Sequence, residues 1–167
     1  MKFELVALRN YAKVLGGFAF KSKDLKKNEI FKIIKIKNVR EGFIDYDSCD
    51  SISESLANTN KKYEAKKDDI LISMTGSGPN NPESLVGRVA IIRSEEPKAY
   101  INQRVGRVVI NENNPLDPSF IYYCLANQKT RDYLVSSSTG SANQVNISPA
   151  TIESVLVPKI SYQESKK

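Results

Sequence analysis

The chain has 167 residues, 40% of them apolar and 26% charged, with a net charge of +6 and no histidine. That length and apolar content suit one ordinary domain with its own core and exclude a disordered chain. The missing histidine excludes His-based triads, His-ligated zinc and imidazole general bases.

Nothing approaches the roughly 20 apolar residues of a membrane span, so no membrane is expected. The first ten residues lack the apolar segment of a secretory signal. Cys49 and Cys124 are the two cysteines and make no disulfide framework, so a reduced, cytoplasmic setting is expected. The charge is uneven: Met1–Lys67 holds 15 basic and 9 acidic residues, whereas Asp68–Lys167 holds 10 of each. Such asymmetry points to a polyanion met by the first part of the chain.

In chain order, Phe3–Leu15 reads as a short strand or turn followed by a helical piece, broken at Gly16-Gly17. Phe18–Lys27 is an aromatic, lysine-rich loop. Ile30–Val39 alternates as a strand with one wetter face, and Gly42 opens a turn. Asp47–Asn60 is polar and reads as loop with a helical turn. Ile70–Met74 is a short continuous apolar run, the pattern of a buried strand. Thr75–Pro82 is a loop by composition. Val86–Arg93 and Tyr100–Ile110 read as strands, the second broken near Gly106. Asp117-Pro118 is a cap-plus-proline start for a helix running to about Val135. Ser136–Gln144 is a small-residue loop, Ser148-Pro149 starts a second short helix, and Val155–Val157 reads as a last strand before Pro158.

Few motifs carry catalytic chemistry. Thr75-Gly76-Ser77-Gly78 follows a strand but lacks the Gly-Lys-Ser/Thr ending of a phosphate-binding loop. Asn80-Asn81-Pro82-Glu83 lacks the second proline and the aromatic of an adenine methyltransferase signature. Glu64-Ala65-Lys66 fits half of a metal-nuclease motif, with Asp45, Asp47 or Asp50 as the upstream carboxylate. Cys124 falls on the apolar side of a helix and is expected in the core, and Cys49 is an incidental thiol. The amide- and hydroxyl-rich segments are more suggestive. Asn and Gln pair with adenine edges, Arg with guanine, and Ser/Thr hydroxyls take phosphates.

Several segments together resemble one family. They are Gly17-Phe18-Ala19-Phe20-Lys21-Ser22, then Ile34–Val39 with Gly42-Phe43-Ile44-Asp45, then Asp69-Ile70-Leu71-Ile72 with Thr75-Gly76-Ser77. Val86-Gly87-Arg88, Asn102-Gln103, Gly140–Ser148 and Val157-Pro158 with Gln163 follow in order. The set resembles a target recognition domain of the type I restriction–modification DNA specificity subunit. It departs from the family at Asp68, where glycine is usual, in a longer loop over 79–84, and at Asn143-Gln144-Val145, which replaces the commoner Ala-Gln-x spacing.

The resemblance implies an α/β fold of the α+β type, a twisted, mostly antiparallel sheet with flanking helices. It implies one recognition domain over residues 1–167, ending where a spacer helix would begin, hence a half subunit or a shortened form. It implies a non-catalytic module that reads one half of a bipartite double-stranded DNA target. An adenine methyltransferase subunit and a restriction (motor–nuclease) subunit would be its partners. No cofactor is expected on this chain; S-adenosylmethionine, ATP and Mg are expected on those subunits. Lys21, Lys23, Lys26, Lys27, Lys35, Thr75 and Ser77 are the expected backbone contacts. Gln103, Arg104, Asn143, Gln144 and Asn146 are the expected base readers. The rival readings are a small Mg-dependent nuclease using Glu64 and Lys66, and an interaction domain of a defence system that does not bind DNA.

Overall fold

The computed structural model describes residues 3–77, 85–141 and 144–167. The chain begins with β1 (Leu5–Ala7), a 3₁₀ turn at Leu8–Asn10 and β2 (Ala12–Gly16). The helical piece expected before Leu15 is therefore a strand. Leu8, Tyr11, Ala12 and Leu15 have helical spacing, but Ala12 and Val14 are buried while Lys13 and Leu15 are exposed, the alternation of a strand. Next come β3 (Phe31–Ile34), β4 (Asp50–Ile52) and α1 (Glu54–Thr59). The strand expected over Ile30–Val39 stops early. The buried Asn38 side chain accepts from Lys35 N at 2.9 Å and donates to Ser48 Oγ at 2.9 Å, closing a 3₁₀ turn.

β5 (Ile70–Ser73), β6 (Thr75–Gly76), β7 (Val89–Ile91), β8 (Ala99–Ile101) and β9 (Val105–Ile110) follow. The break in Tyr100–Ile110 falls at 102–104, not at Gly106, which lies in β9 opposite Gly16. The single helix expected from Asp117 is two, α2 (Pro118–Ala126) and α3 (Gln128–Ser136), because Asn127 leaves helical geometry and its side chain caps α3 by accepting from Lys129 N at 2.9 Å. Two strands, β10 (Thr139–Ser141) and β11 (Gln144–Asn146), occupy much of the expected loop after it. Then come α4 (Pro149–Glu153), β12 (Leu156–Pro158) and α5 (Tyr162–Ser165).

The central sheet runs β2-β9-β5-β7, antiparallel throughout. All four residues of β5 are buried, because both of its faces are covered. Ile70 and Ile72 face one core with Val14, Val108, Ile121 and Leu125 of α2, Leu134 of α3 and Ile152 of α4. Leu71 faces the other with Ile34, Ala90, Ile101 and Val105. That second core joins the central sheet to a smaller one, β4-β3-β8, in which β3 and β8 are parallel. Beyond it, Ile33, Ile52 and Tyr100 pack on Phe20 and on Ala57 of α1. β1 pairs with β12, and β6 joins the β10–β11 hairpin. The fold is thus α+β, mostly antiparallel, with helices flanking stacked sheets.

Asp68 explains its own departure from the family pattern. Its φ is +69°, in the left-handed region that glycine enters without cost.

Candidate nucleic-acid interface

One residue gathers the polar segments. Where β5 passes into β6, Met74 N donates to Arg104 O at 3.0 Å, and Met74 O accepts from Ile147 N at 2.9 Å. The 102–104 turn and the β10–β11 hairpin are therefore fixed on either side of one strand junction. The glycine–aromatic opening joins them: Phe18 N donates to Ile101 O at 2.8 Å, and Gln103 N donates to Phe18 O at 3.0 Å. Only glycine fits before it, because a Cβ on Gly17 would sit 2.1 Å from Ile101 O.

The turn holds Asn102 buried, with Val105 N donating to Asn102 O at 2.9 Å. Gln103 and Arg104 are exposed at its tip. In β11, Val145 is buried while Gln144 and Asn146 are exposed. The register pairs Asn146 with Thr139 and Thr75, and Gln144 with Ser141. Cross-strand partners share a face, so these five side chains line up together: Thr139, Ser141, Gln144 and Asn146 are exposed, and Thr75, an expected backbone contact, is buried beneath them. Thr75 Oγ1 donates to Asn146 Oδ1 at 2.8 Å, although the two are 71 residues apart. Gly140, at φ +135°, lets the hairpin close: a Cβ there would lie 2.2 Å from Gln144 O. Ser77 is half-buried just past β6. Asn143 and 78–84 of the expected loop lie outside the described residues.

The lysines divide. Lys21 and Lys23 are exposed around a 3₁₀ turn at Ser22–Asp24 and carry no ion pair among the described residues. Lys26 lies 3.6 Å from Glu29. Lys27 and Lys35 both bind Asp50, at 2.6 and 2.7 Å, and these hydrogen bonds lower the Asp50 carboxyl to about 2. The trio carries one net positive charge rather than two.

The nuclease reading finds no support. Asp45 is held by Arg40 at 3.2 Å and Asp50 by the two lysines. The Glu64 carbonyl accepts from Arg107 Nη1 at 3.1 Å, and no three His, Cys, Asp or Glu among the described residues are grouped to hold a metal. Burial pushes the Cys49 thiol up to about 12 and the Cys124 thiol up to about 11, so neither is a thiolate near neutral pH. Cys124 is half-buried and packs at the edge of the larger core. Among the described residues, no helix is long and apolar enough to cross a membrane.

Sequence reasoning named the segments of this surface but missed that Thr139 and Ser141 share the face of Gln144 and Asn146. The period-two spacing of Thr139-Gly140-Ser141 and Gln144-Val145-Asn146 carried that signal.

Comparison with known proteins supplies the context. The model of a family described as the type I restriction modification DNA specificity domain matches residues 2–164. The type I restriction enzyme EcoBI specificity subunit of Escherichia coli is 24% identical over 136 residues, which is 80% of this chain and 26% of that one. The S subunit of a type I restriction–modification system from M. genitalium superposes with a TM-score of 0.62 at 13% identity, covering 95% of this chain and 34% of its own. The HsdS subunit from Thermoanaerobacter tengcongensis superposes with a TM-score of 0.57 at 13% identity, covering 98% and 34%. The chain thus spans 26% of the curated relative and 34% of each solved subunit. At these identities the structural likeness speaks for the fold.

Proposed function

The chain belongs to the family of type I restriction modification DNA specificity domains, and from that premise we propose that it reads the sequence of one half of a split target on double-stranded DNA. The observation that carries this reading is the convergence on Met74. Three segments distant in sequence bring exposed Gln103, Arg104, Gln144 and Asn146 to one end of the central sheet. Amide and guanidinium groups on a rigid strand and a tight turn are the chemistry that discriminates base edges. Lys21 and Lys23, free of ion pairs among the described residues, supply a grip on phosphate that carries no sequence information.

In this reading residues 1–167 act as one recognition domain in the cytoplasm. Catalysis belongs to other chains: an adenine methyltransferase subunit using S-adenosylmethionine, and a motor–nuclease subunit using ATP and Mg. The chain alone then neither methylates nor cuts DNA.

The test separates affinity from specificity. In a complete methyltransferase complex, Gln144→Ala or Arg104→Ala should relax the target at one or two positions, since a good bidentate pair contributes about 1–3 kcal/mol of discrimination. Lys23→Ala should weaken binding to every sequence and leave the preferred target unchanged. Sequencing of methylated sites reads the first effect, and titration with unrelated duplex reads the second. Loop variants that keep the parental target would remove these residues from base readout. A chain that binds no duplex at low salt would instead be an interaction domain.

A further inference from the structure

A concave site lies at the open edge of the central sheet. A cavity of about 420 Å³ is lined there by Leu15, Gly16, Tyr63, Ile101, Arg107 and the exposed Lys62. That volume falls in the range of roughly 300–1,000 Å³ typical of small-ligand pockets. β2 is an outer strand of the sheet, and its pairing fixes which of its backbone groups face outward. Gly17 N donates to Val105 O at 3.3 Å and Asn111 N donates to Tyr11 O at 2.7 Å, so the odd-numbered residues here bond to the β9 side. The N–H and C=O groups of Val14 and Gly16 therefore turn away from β9. Val14 N donates to Glu153 Oε1 at 2.8 Å, whereas Gly16 keeps a donor and an acceptor with no partner among the described residues.

Packing does not demand glycine at position 16. A Cβ there would meet Gln103 O at 3.6 Å and Met74 Cε at 3.9 Å, both ordinary contacts, and its φ is not positive. A strand glycine of this kind marks a close approach by a ligand or by another backbone. Another strand is the poorer fit, because Glu153 closes the edge at Val14 and strands need three residues or more. The walls suit a flat, uncharged group. Leu15 is 44% exposed and offers apolar surface beside Tyr63. The Arg107 charge is met within the fold: Nη1 donates to Glu64 O at 3.1 Å and lies 3.6 Å from Asp69 Oδ2. Lys62 Nζ lies 4.9 Å from the centre of the Tyr63 ring, with no carboxylate partner among the described residues. Apolar walls, an adjacent donor and acceptor, and one cation beside them match a nucleobase with its phosphate, since base edges also set donors next to acceptors.

The position points to the source of that base. Gly17 leads into Phe18, whose carbonyl accepts from Gln103 N at 3.0 Å, so the cavity lies beside the turn that presents Gln103 and Arg104. We propose that this cavity takes one extrahelical base of the bound DNA, with Gly16 bonding its edge, Leu15 and Tyr63 enclosing it and Lys62 meeting its phosphate. This rests on the DNA-reading function above. Taking a base out of the stack costs unstacking and unpairing, and costs least where the base is already unpaired.

The experiment titrates the chain with a fully paired duplex and with versions of it carrying a single bulged A, C, G or T. At least one bulged duplex should bind about tenfold more tightly than the paired one, because its base is already out of the stack. Leu15→Trp fills the cavity from an exposed position, and Tyr63→Ala removes a wall. Each should bring the ratio of the two affinities toward one while the paired duplex binds as before. Tyr63 also packs on Phe18, with 5.4 Å between ring centres, so Leu15→Trp decides if Tyr63→Ala weakens every duplex alike. Equal binding of paired and bulged duplexes by the parent, or a ratio that Leu15→Trp leaves unchanged, overturns the base site alone. Failure of the parent to bind any duplex overturns the site together with the function it rests on. Binding of free deoxynucleoside monophosphates that Leu15→Trp abolishes, with equal affinity for all the duplexes, would make it a free-nucleotide site and overturn the DNA assignment. Weakened association of Leu15→Trp with a methyltransferase subunit, with the ratio unchanged, would make the occupant a protein segment and would overturn it too.

Discussion

Asp50 is the counter-charge for two lysines, Lys27 and Lys35. Its carboxylate lies 2.6 Å from Lys27 Nζ and 2.7 Å from Lys35 Nζ, and these contacts lower its pKa from 3.8 to about 2. Asp50→Asn removes the charge and keeps the shape. A shift of this size corresponds to roughly 2 kcal/mol at neutral pH, and the exposure of Lys27 trims it to about 1–2 kcal/mol. The folded-state value is depressed, so the stabilisation is full above about pH 4 and is lost as the pH falls toward about 2. Denaturant unfolding should therefore separate the variant from the parent by about 1–2 kcal/mol at pH 7 and bring them together below about pH 2. DNA binding should move the other way. With Asp50 neutral the net charge of the trio rises from one to two, so one more phosphate can be neutralised and the salt slope should steepen by about 0.9. The expected variant is less stable at neutral pH yet tighter on duplex at low salt. A stability gap that persists below pH 2, or a salt slope that does not change, would refute this account.

Gly17→Ala should destabilise the fold by about 2 kcal/mol or more, since the new Cβ meets the Ile101 carbonyl and backbone must move; a denaturant midpoint within error of the parent would count against it. Asp68→Gly should stabilise by roughly 0.5–1 kcal/mol by relieving the positive φ, read from the same unfolding curves, and any loss of stability would contradict this. Thr75→Val should broaden the methylated target at one position in a complete complex, Thr75→Ser should restore it, and sequencing of methylated sites decides between them.

The legible parts of this fold are those where one local rule decides. Ile70–Ser73 is apolar without a break because both of its faces are covered. Asp117 and Ser148 cap helices whose first residue is proline, and both side chains accept from backbone N–H groups as expected, at 2.9 and 3.0 Å. The misread parts are those where tertiary contacts decide. Leu8, Tyr11, Ala12 and Leu15 imitate a helical stripe, but pairing of Ala12–Gly16 with β9 draws the backbone out into a strand. β10 and β11 show almost no burial pattern, since Val145 is their one buried side chain among the described residues. They are strands because β6 completes their hydrogen bonding, a contact from another part of the chain.

The same dependence governs the chemistry of the interface. A free carboxamide offers both a donor and an acceptor, which is why Asn is associated with the paired N6 and N7 of adenine. In this protein the Asn146 oxygen already accepts from Thr75 Oγ1 at 2.8 Å, so one of its two lone pairs is engaged within the fold. What Asn146 has left to offer therefore depends on Thr75, 71 positions away, and no reading of the hairpin by itself could supply it. Gln144 pairs with Ser141 across the hairpin, and no hydrogen bond within the described residues commits its side chain. It keeps both functions of its amide, so of the two it is the better equipped for bidentate recognition of adenine.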